Sequence, residues 1–337
     1  MGSIPLTPDI SPLTAHVQSL LPQDGSRESL INSVIPELFK SIAAIADALR
    51  TSHRVLASGT ANSFGDEQLN VDVIAETCIN LGISLCPSIK TASNEEDPVE
   101  RPVQHRNPVP SPPPSEQYTI AFDPLDGSSI IPANWTVGTI ISLWDGRTAL
   151  DQSPRTRQIA AILGVYGPRT TAIIALRVPG GVPACFEVAL TEGGWRVTHP
   201  GLSLSQTARC FSPANLRAAA HSPAYLSLVS EYVARQYTLR YAGGLVPDVV
   251  HMLVQGQGIY LSPATAQSKA KLRRLYEPCP LALVVECAGG KAVDSADGER
   301  ILDTEVKRCD EREGIVCGCE AEVDGAVAML VEKGEVE

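Results

Sequence analysis

The stretch YTIAFDPLDGSS, Tyr118–Ser129, opens with aromatic and β-branched residues and reads as a buried strand. It then sets Asp123 and Asp126 three residues apart with Pro124 between them, and follows at once with Gly127, Ser128 and Ser129. Two carboxylates that close repel each other, so a folded chain keeps them together only where a cation or a proton neutralises the pair. The strand places Asp123 at its C-terminal end, the edge at which α/β sheets bind ligands. Pro124 then fixes a turn, Asp126 points back, and the next three residues offer backbone N–H groups to an anion. Cation ligands beside an anion cradle make a metal-assisted phosphate site. Hard oxygen ligands without a nearby His or thiolate favour Mg²⁺ or Mn²⁺ over zinc, and hydrolysis of a phosphomonoester is the chemistry that fits.

Working outward, acidic residues recur as Asp66 and Asp72 in GDEQLNVD, Glu95 and Glu96 in SNEED, and Glu277 in LYEPCP. Leu69, Val73, Ile74, Thr77, Cys78 and Leu81 recur at helical spacing, with acidic residues at the front where the helix dipole favours them. Upstream, Leu30, Val34, Leu38, Ile42, Ile45 and Leu49 step by three or four as one helix face, with Pro36 as a boundary or kink. Downstream, VGTIISLW, QIAAILGVYG, TTAIIALRV and ACFEVAL read as further strands. Helical patterns return in PAYLSLVSEYVARQY, PDVVHMLVQ and PLALVVECAGG, GIYLS is strand-like, and EAEVDGAVAMLVEK closes the chain as a helix. Strands and helices alternate in both halves, so the fold class is α/β, layered in the α+β manner.

Length and composition agree. The 337 residues suggest about two domains, and 44% hydrophobic with 19% charged residues is ordinary for a globular chain. We expect an N-terminal tail over 1–27, a first domain over 28–205 and a second over 206–337. Seven prolines between Pro98 and Pro114 mark 98–117 as an extended, mobile loop inserted in the first domain. A net charge of −11 without a basic cluster argues against nucleic acid as a partner. No run of about 20 apolar residues could span a membrane, and Leu6 stands where myristoylation after Gly2 needs Ser or Thr. A cytoplasmic protein is expected. Nine scattered cysteines read as free buried thiols, and Cys309, Cys317 and Cys319 lack a fourth ligand at zinc spacing.

FDPLDGSSII with TVGTI after it, GPRTT, FSPANLR, YTLRYAGGLVPDV, and SKAKLRRLYE followed by AGGKAVD resemble, in order, the motifs of the fructose-1,6-bisphosphatase family, most closely its sedoheptulose-1,7-bisphosphatase branch. The resemblance implies the sugar phosphatase fold of alternating α-β-α-β-α layers. It implies metal ligation by Glu95, Asp123, the Leu125 carbonyl, Asp126 and Glu277, with Asp66, Asp72 and Glu96 holding a further ion and helping to deprotonate the attacking water. Two or three Mg²⁺ (or Mn²⁺) ions per subunit follow, in a homodimer or homotetramer. The scissile phosphate would rest on Gly127, Ser128 and Ser129. A distal phosphate would meet Asn215, Arg240, Tyr241 and Lys271, with Arg240 reaching a neighbouring subunit. Lys and Arg attract the dianion there, while Asn and Tyr donate positioning hydrogen bonds.

Departures from the family pattern carry expectations too. Ala218 and Ser262 stand where the fructose enzymes have tyrosines, which widens the distal pocket for a longer sugar. Pro132 and Asn94 replace an aspartate and a serine without removing a ligand. LASGTANSFGDEQ has no cysteine where plant members of the branch carry a redox pair, and Gln117 replaces a lysine of the nucleotide inhibitor site. The implied reaction is release of the 1-phosphate of sedoheptulose 1,7-bisphosphate. Fructose-1,6-bisphosphatase activity, alone or in addition, and a catalytically silent sugar-phosphate-binding protein are the alternatives.

Overall fold

The computed structural model describes residues 8–52, 55–61, 67–106 and 116–331. Three helices come first: α1 (Ser11–Leu20), α2 (Ile35–Thr51) and α3 (Asn70–Ser84), with a short hairpin of β1 (Ala57–Ala61) and β2 (Glu67–Leu69) between the last two. A large sheet follows, built from β3 (Ile89–Asn94), β4 (Arg101–Pro102), β5 (Tyr118–Asp126), β6 (Val137–Asp145), β7 (Gln158–Tyr166), β8 (Thr170–Leu176), β9 (Ala184–Thr191) and β10 (Gly194–His199), with the one-turn α4 (Pro154–Arg157) before β7. The C-terminal part contains β11 (Cys210–Pro213), α5 (Pro223–Ala234), β12 (Thr238–Leu239), α6 (Leu245–Gln255), β13 (Ile259–Ser262), α7 (Pro278–Cys287), β14 (Lys291–Asp294), β15 (Ile315–Gly318) and α8 (Glu320–Leu330).

The large sheet runs β10-β9-β8-β7-β6-β5-β3-β4 and the small one β12-β11-β13-β15-β14. In the large sheet only β3 and β5 pair in parallel. Its central strands are buried on both faces, which explains why YTIAF and VGTIISLW read as near-continuous apolar runs rather than alternating ones. One face meets α1, α2 and α3 in a core that includes Phe39, Phe122 and Trp195. The other meets α6 and α7, which pack in turn on the small sheet. Helices α5 and α8 cover the outer face of that sheet. The layers therefore alternate α-β-α-β-α, as the resemblance implies.

Three local expectations are corrected. From residue 8 on, the expected N-terminal tail is packed structure. Leu13, Val17 and Leu21, spaced by four, are buried, and the Asp9 carbonyl accepts from the Trp195 backbone N–H at 2.8 Å; the surrounding prolines hid a two-and-a-half-turn amphipathic helix. On α3 the buried face is Val71, Ala75, Ile79 and Ile83, while Val73, Ile74 and Leu81 are about two-fifths exposed, so the apolar spacing pointed to the wrong side of the helix. Part of the proline-rich loop is ordered, because Arg101–Pro102 pairs with Thr91 and Ala92 at the edge of the sheet, where a residue without an N–H is tolerated; residues 107–115 lie outside the described residues.

Two packing features bear on the site. Strand β6 approaches α6 so closely that a Cβ on Gly138 would lie 2.4 Å from Val246 Cβ. Arg27, just before α2, makes a bidentate pair with Asp145 at the end of β6, at 2.5 and 2.7 Å, and reaches the Tyr118 hydroxyl at 3.3 Å. Cutting one side of a buried pair strands the other charge. Arg27→Ala is thus expected to destabilise the protein by roughly 3 kcal/mol in urea titration; a loss below about 1 kcal/mol, the level of an exposed pair, would refute the clamp.

Candidate active site

Strand alternation sends Tyr118, Ile120 and Phe122 into the core under α1–α3, and Ala121 toward α6 and α7. Asp123 shares the Ala121 face by parity. Asp126, three residues on, would point the opposite way on a regular strand. The register shows the remedy: Asp123 pairs with Ile140 and Asp126 with Gly138, so three steps on β5 match two on β6. This bulge returns Asp126 to the same face. The motif expected as a turn after the strand is thus the end of the strand itself, held there by Thr139, whose hydroxyl donates to the Pro124 carbonyl at 2.8 Å.

Glu277, immediately before α7, completes the group: single carboxylate oxygens of Asp123, Asp126 and Glu277 all lie within 4.8 Å of one another, and all three residues are buried. Backbone donors hold each in place. Asp126 accepts from Leu245 N at 3.2 Å and Val246 N at 2.7 Å, the first residues of α6; Asp123 accepts from Leu125 N at 2.9 Å; and Glu277 accepts from Arg273 N. These donors do not offset the burial. Burial, then Asp126 and Glu277, raises the Asp123 carboxyl well above its usual range. Burial lifts Asp126 to about 6 against the two α6 donors, and lifts Glu277 to about 8. Three converging carboxylates, all oxygen donors, fit a hard divalent cation, which would remove the repulsion that otherwise keeps protons on them.

A second acidic wall stands beside this group. Asp72, in the first turn of α3, accepts from Leu69 N at 2.8 Å and has its other oxygen buried without a hydrogen bond. Burial, opposed by the Leu69 donor and reinforced by the Glu96 charge, lifts it to about 6. Glu96 also adds to the rise of Asp123, so its charge acts on both. Asn94 ties this wall together, donating to Glu76 of α3 at 3.0 Å and accepting from Asp97 N at 2.8 Å. The departure at Asn94 is therefore a brace for the turn bearing Glu95 and Glu96. Glu95 does not join the three: its N–H donates to the Phe122 carbonyl at 3.1 Å, and its carboxylate pairs with the Arg273 guanidinium. Asp66 lies outside the described residues.

After Asp126, Gly127 takes φ +84°, a conformation that side chains rarely adopt, and starts the 3₁₀ turn Ser128–Ala133. The first bond of that turn runs from Ile130 N to the Gly127 carbonyl at 3.0 Å, so the turn does not consume the Ser128 and Ser129 N–H groups. Pro132 is exposed within it.

Asp126 and Ser129 open onto a cleft of about 430 Å³ that extends to Asn215, Tyr241 and Lys271. Ser262 also lines it, whereas Ala218 is fully buried in the core beside α5 and α8 and does not border the cleft it was expected to widen. Both amide hydrogens of Asn215 are committed, to Pro263 O at 2.7 Å and Ser268 O at 3.3 Å, so Asn215 pins the cleft wall. Arg240 is exposed, bonds the Leu239 carbonyl, and stands outside the lining of this cleft. Sequence reasoning missed three participants: the α6 N–H groups, Arg273, and Arg217 on the cleft wall. Lys271-Leu272-Arg273-Arg274 contained the only signal for Arg273, a basic run just ahead of Glu277. Among the described residues Asp123, Asp126 and Glu277 are the one group of metal-ligand type, and no helix is long and apolar enough to cross a membrane.

Comparisons with known proteins agree with this architecture. Residues 18–200 match the family model for the fructose-1-6-bisphosphatase N-terminal domain, and 204–331 that for its C-terminal domain. The chain is 39% identical over 301 residues to the chloroplastic sedoheptulose-1,7-bisphosphatase of Chlamydomonas reinhardtii, covering 86% of this chain and 72% of that one. It is 31% identical over 318 residues to the class 1 fructose-1,6-bisphosphatase of Syntrophotalea carbinolica, covering 94% and 93%. Among solved structures, a candidate sedoheptulose-1,7 bisphosphatase from Toxoplasma gondii superposes with a TM-score of 0.83 at 33% identity, covering 95% and 98% of the two chains. The holo form of Leishmania major fructose-1,6-bisphosphatase gives 0.79 at 26%, covering 96% and 99%.

Proposed function

Since this chain belongs to the fructose-1,6-bisphosphatase family, a family of phosphoric monoester hydrolases acting on sugar bisphosphates, we propose that it removes the 1-phosphate of sedoheptulose 1,7-bisphosphate, giving sedoheptulose 7-phosphate and phosphate. One observation carries the reading: Asp126, a member of the carboxylate cluster with raised pKa values, lines the same cleft as Lys271 and Tyr241. A bisphosphate has the matching shape, with one phosphate to be cleaved and one to be held.

When bound, divalent ions neutralise the clustered carboxylates and the phosphate dianion and make a water a better nucleophile. Asp123, Asp126, Glu277, Glu95 and the Leu125 carbonyl are the groups assigned to hold them, as two or three Mg²⁺ or Mn²⁺ per subunit. Glu95 must first release Arg273 to do so. Asp72, with a pKa near the working pH, suits the acceptance of a proton from the attacking water, and Glu96 favours that step by holding the Asp72 carboxyl high. Asp66 is assigned the same task of helping to deprotonate the water. Gly127, Ser128 and Ser129 orient the scissile phosphate through their N–H groups. Lys271 and Tyr241 hold the distal phosphate, and Asn215 keeps the loop before Lys271 in register. A cytoplasmic homodimer or homotetramer, with Arg240 crossing to a neighbouring copy, completes the reading.

Fructose 1,6-bisphosphate is the second candidate substrate, favoured by the class 1 relatives, and one carbon of difference changes contacts by only a few kcal/mol. Phosphate release from the two bisphosphates under Mg²⁺ decides between them. Turnover is expected on both, with the larger kcat/KM on the seven-carbon substrate; a preference for the six-carbon one would reverse the assignment, and inertness toward both would refute it.

A further inference from the structure

The cleft contains a second cation that the functional reading leaves unused. Arg217 lies on the short 3₁₀ turn Leu216–Ala220 and lines the cleft together with Lys271 and Tyr241. Its exposed guanidinium forms no ion pair with a carboxylate among the described residues, whereas Arg273 and Arg274 nearby are paired to Glu95 and Glu313. Arg217 also acts on Tyr241: burial raises the phenol, the charge of Asp248 adds to the rise, and the Arg217 charge opposes it. Both side chains line the one cleft, close enough for the guanidinium charge to act on the phenol.

The charge balance supports a role for this residue. A sugar phosphomonoester carries close to two negative charges at neutral pH, and Arg240 stands outside the lining. Of the charges that this protomer's own cleft lining offers, Lys271 supplies one, as a compact point cation. Arg217 supplies the other in a planar fork whose paired N–H groups match phosphate oxygens. On the same lining Ser262 offers only a hydroxymethyl group. The room left by that short side chain is room for a longer substrate to extend toward the guanidinium.

Resting on the bisphosphatase reading and deepening it, we propose that Arg217 is a specificity-determining ligand of the distal phosphate, placed to reward the seven-carbon bisphosphate over the six-carbon one.

Two measurements on the full-length protein test this, with Arg217→Ala and Arg217→Lys beside the parent chain and thermal melts confirming that each variant folds. The first is calorimetric binding of sedoheptulose 7-phosphate, which carries the distal phosphate and needs no turnover. Arg217→Ala is expected to weaken it about 10- to 100-fold, the worth of a charge-assisted pair of hydrogen bonds, and Arg217→Lys to recover part of the loss. The second is kinetics with Mg²⁺. Arg217→Ala should raise KM for sedoheptulose 1,7-bisphosphate by a similar factor with kcat nearly kept, raise it less for fructose 1,6-bisphosphate, and least for a sugar 1-monophosphate. Unchanged binding of the 7-phosphate in a folded Arg217→Ala variant overturns the proposal even if the parent enzyme is active. Equal losses on the two bisphosphates overturn the specificity role. A parent chain that binds the 7-phosphate through Arg217 but cleaves neither bisphosphate would refute the hydrolase reading and leave this one standing.

Discussion

Asp126→Asn is expected to lower kcat by on the order of 10²–10³-fold while leaving the fold intact, and to raise the melting temperature of the metal-free protein. The two effects have one cause. Asp126 is buried beside Asp123 and Glu277, and its negative charge is costly there unless a cation offsets it. Removing that charge relieves the metal-free protein and deprives the loaded one. The amide oxygen can still accept from Val246 N, the shorter of the two α6 contacts, so the start of the helix retains its anchor. The amide nitrogen then meets Leu245 N, a donor facing a donor, which trims the stabilisation. Turnover with the two bisphosphates, and melting in EDTA and in Mg²⁺, check this directly. Persistent turnover at the parent rate would remove the carboxylate cluster from the mechanism.

Stability should depend on pH in the direction set by raised carboxyl pKa values. Asp72 and Asp126 stand near 6 and Glu277 near 8, against ordinary values of 3.8 and 4.5. Below about pH 4 both the folded and the unfolded chain hold these protons, and the groups contribute nothing to the difference. As pH rises from there toward 8 the unfolded chain releases protons that the folded site retains, so the metal-free protein loses stability throughout that interval. A tenfold difference in proton affinity between the folded and unfolded chain is worth about 1.4 kcal/mol, which makes the summed effect of the three carboxyls a large share of a typical stability. Ion binding requires the deprotonated ligands, so the stabilisation conferred by Mg²⁺ should grow over the same interval. Melting temperatures at pH 5, 6, 7 and 8, with EDTA and with Mg²⁺, should diverge as pH rises. A constant gap between the two curves would contradict the assignment of these protons, and Asp126→Asn should narrow the divergence.

Much of this site was legible because repulsion leaves a mark in sequence. Asp123 and Asp126 cannot stand so close without a reason, and the strand before them is apolar enough to be read as buried on both faces. The layer order could be read from the alternation of strands and helices together with the family resemblance. Other features were hidden for physical reasons. The bulge on β5 depends on its register with β6, which involves residues twelve to seventeen positions away and has no local signature. The α6 donors to Asp126 are backbone groups of Leu245 and Val246, apolar residues that carry no chemical hint in their names. Helix α3 carries apolar residues on two sides, so spacing alone could not tell the packed face from the exposed one. Helix α1 is short, and its two buried residues, with Leu21 just beyond its end, sit among prolines that suggested an irregular segment.

The close approach of β6 to α6 at Gly138 gives a residue without a side chain a share in the chemistry. Gly138 is the partner of Asp126 across the bulge, and Val246 presses on it where any other residue would carry a methyl group. The same Val246 presents its N–H to the Asp126 carboxylate. The reach of that carboxylate is therefore gauged by a missing atom on the neighbouring strand, and the emptiness at position 138 works as a spacer of zero thickness for the whole acidic cluster.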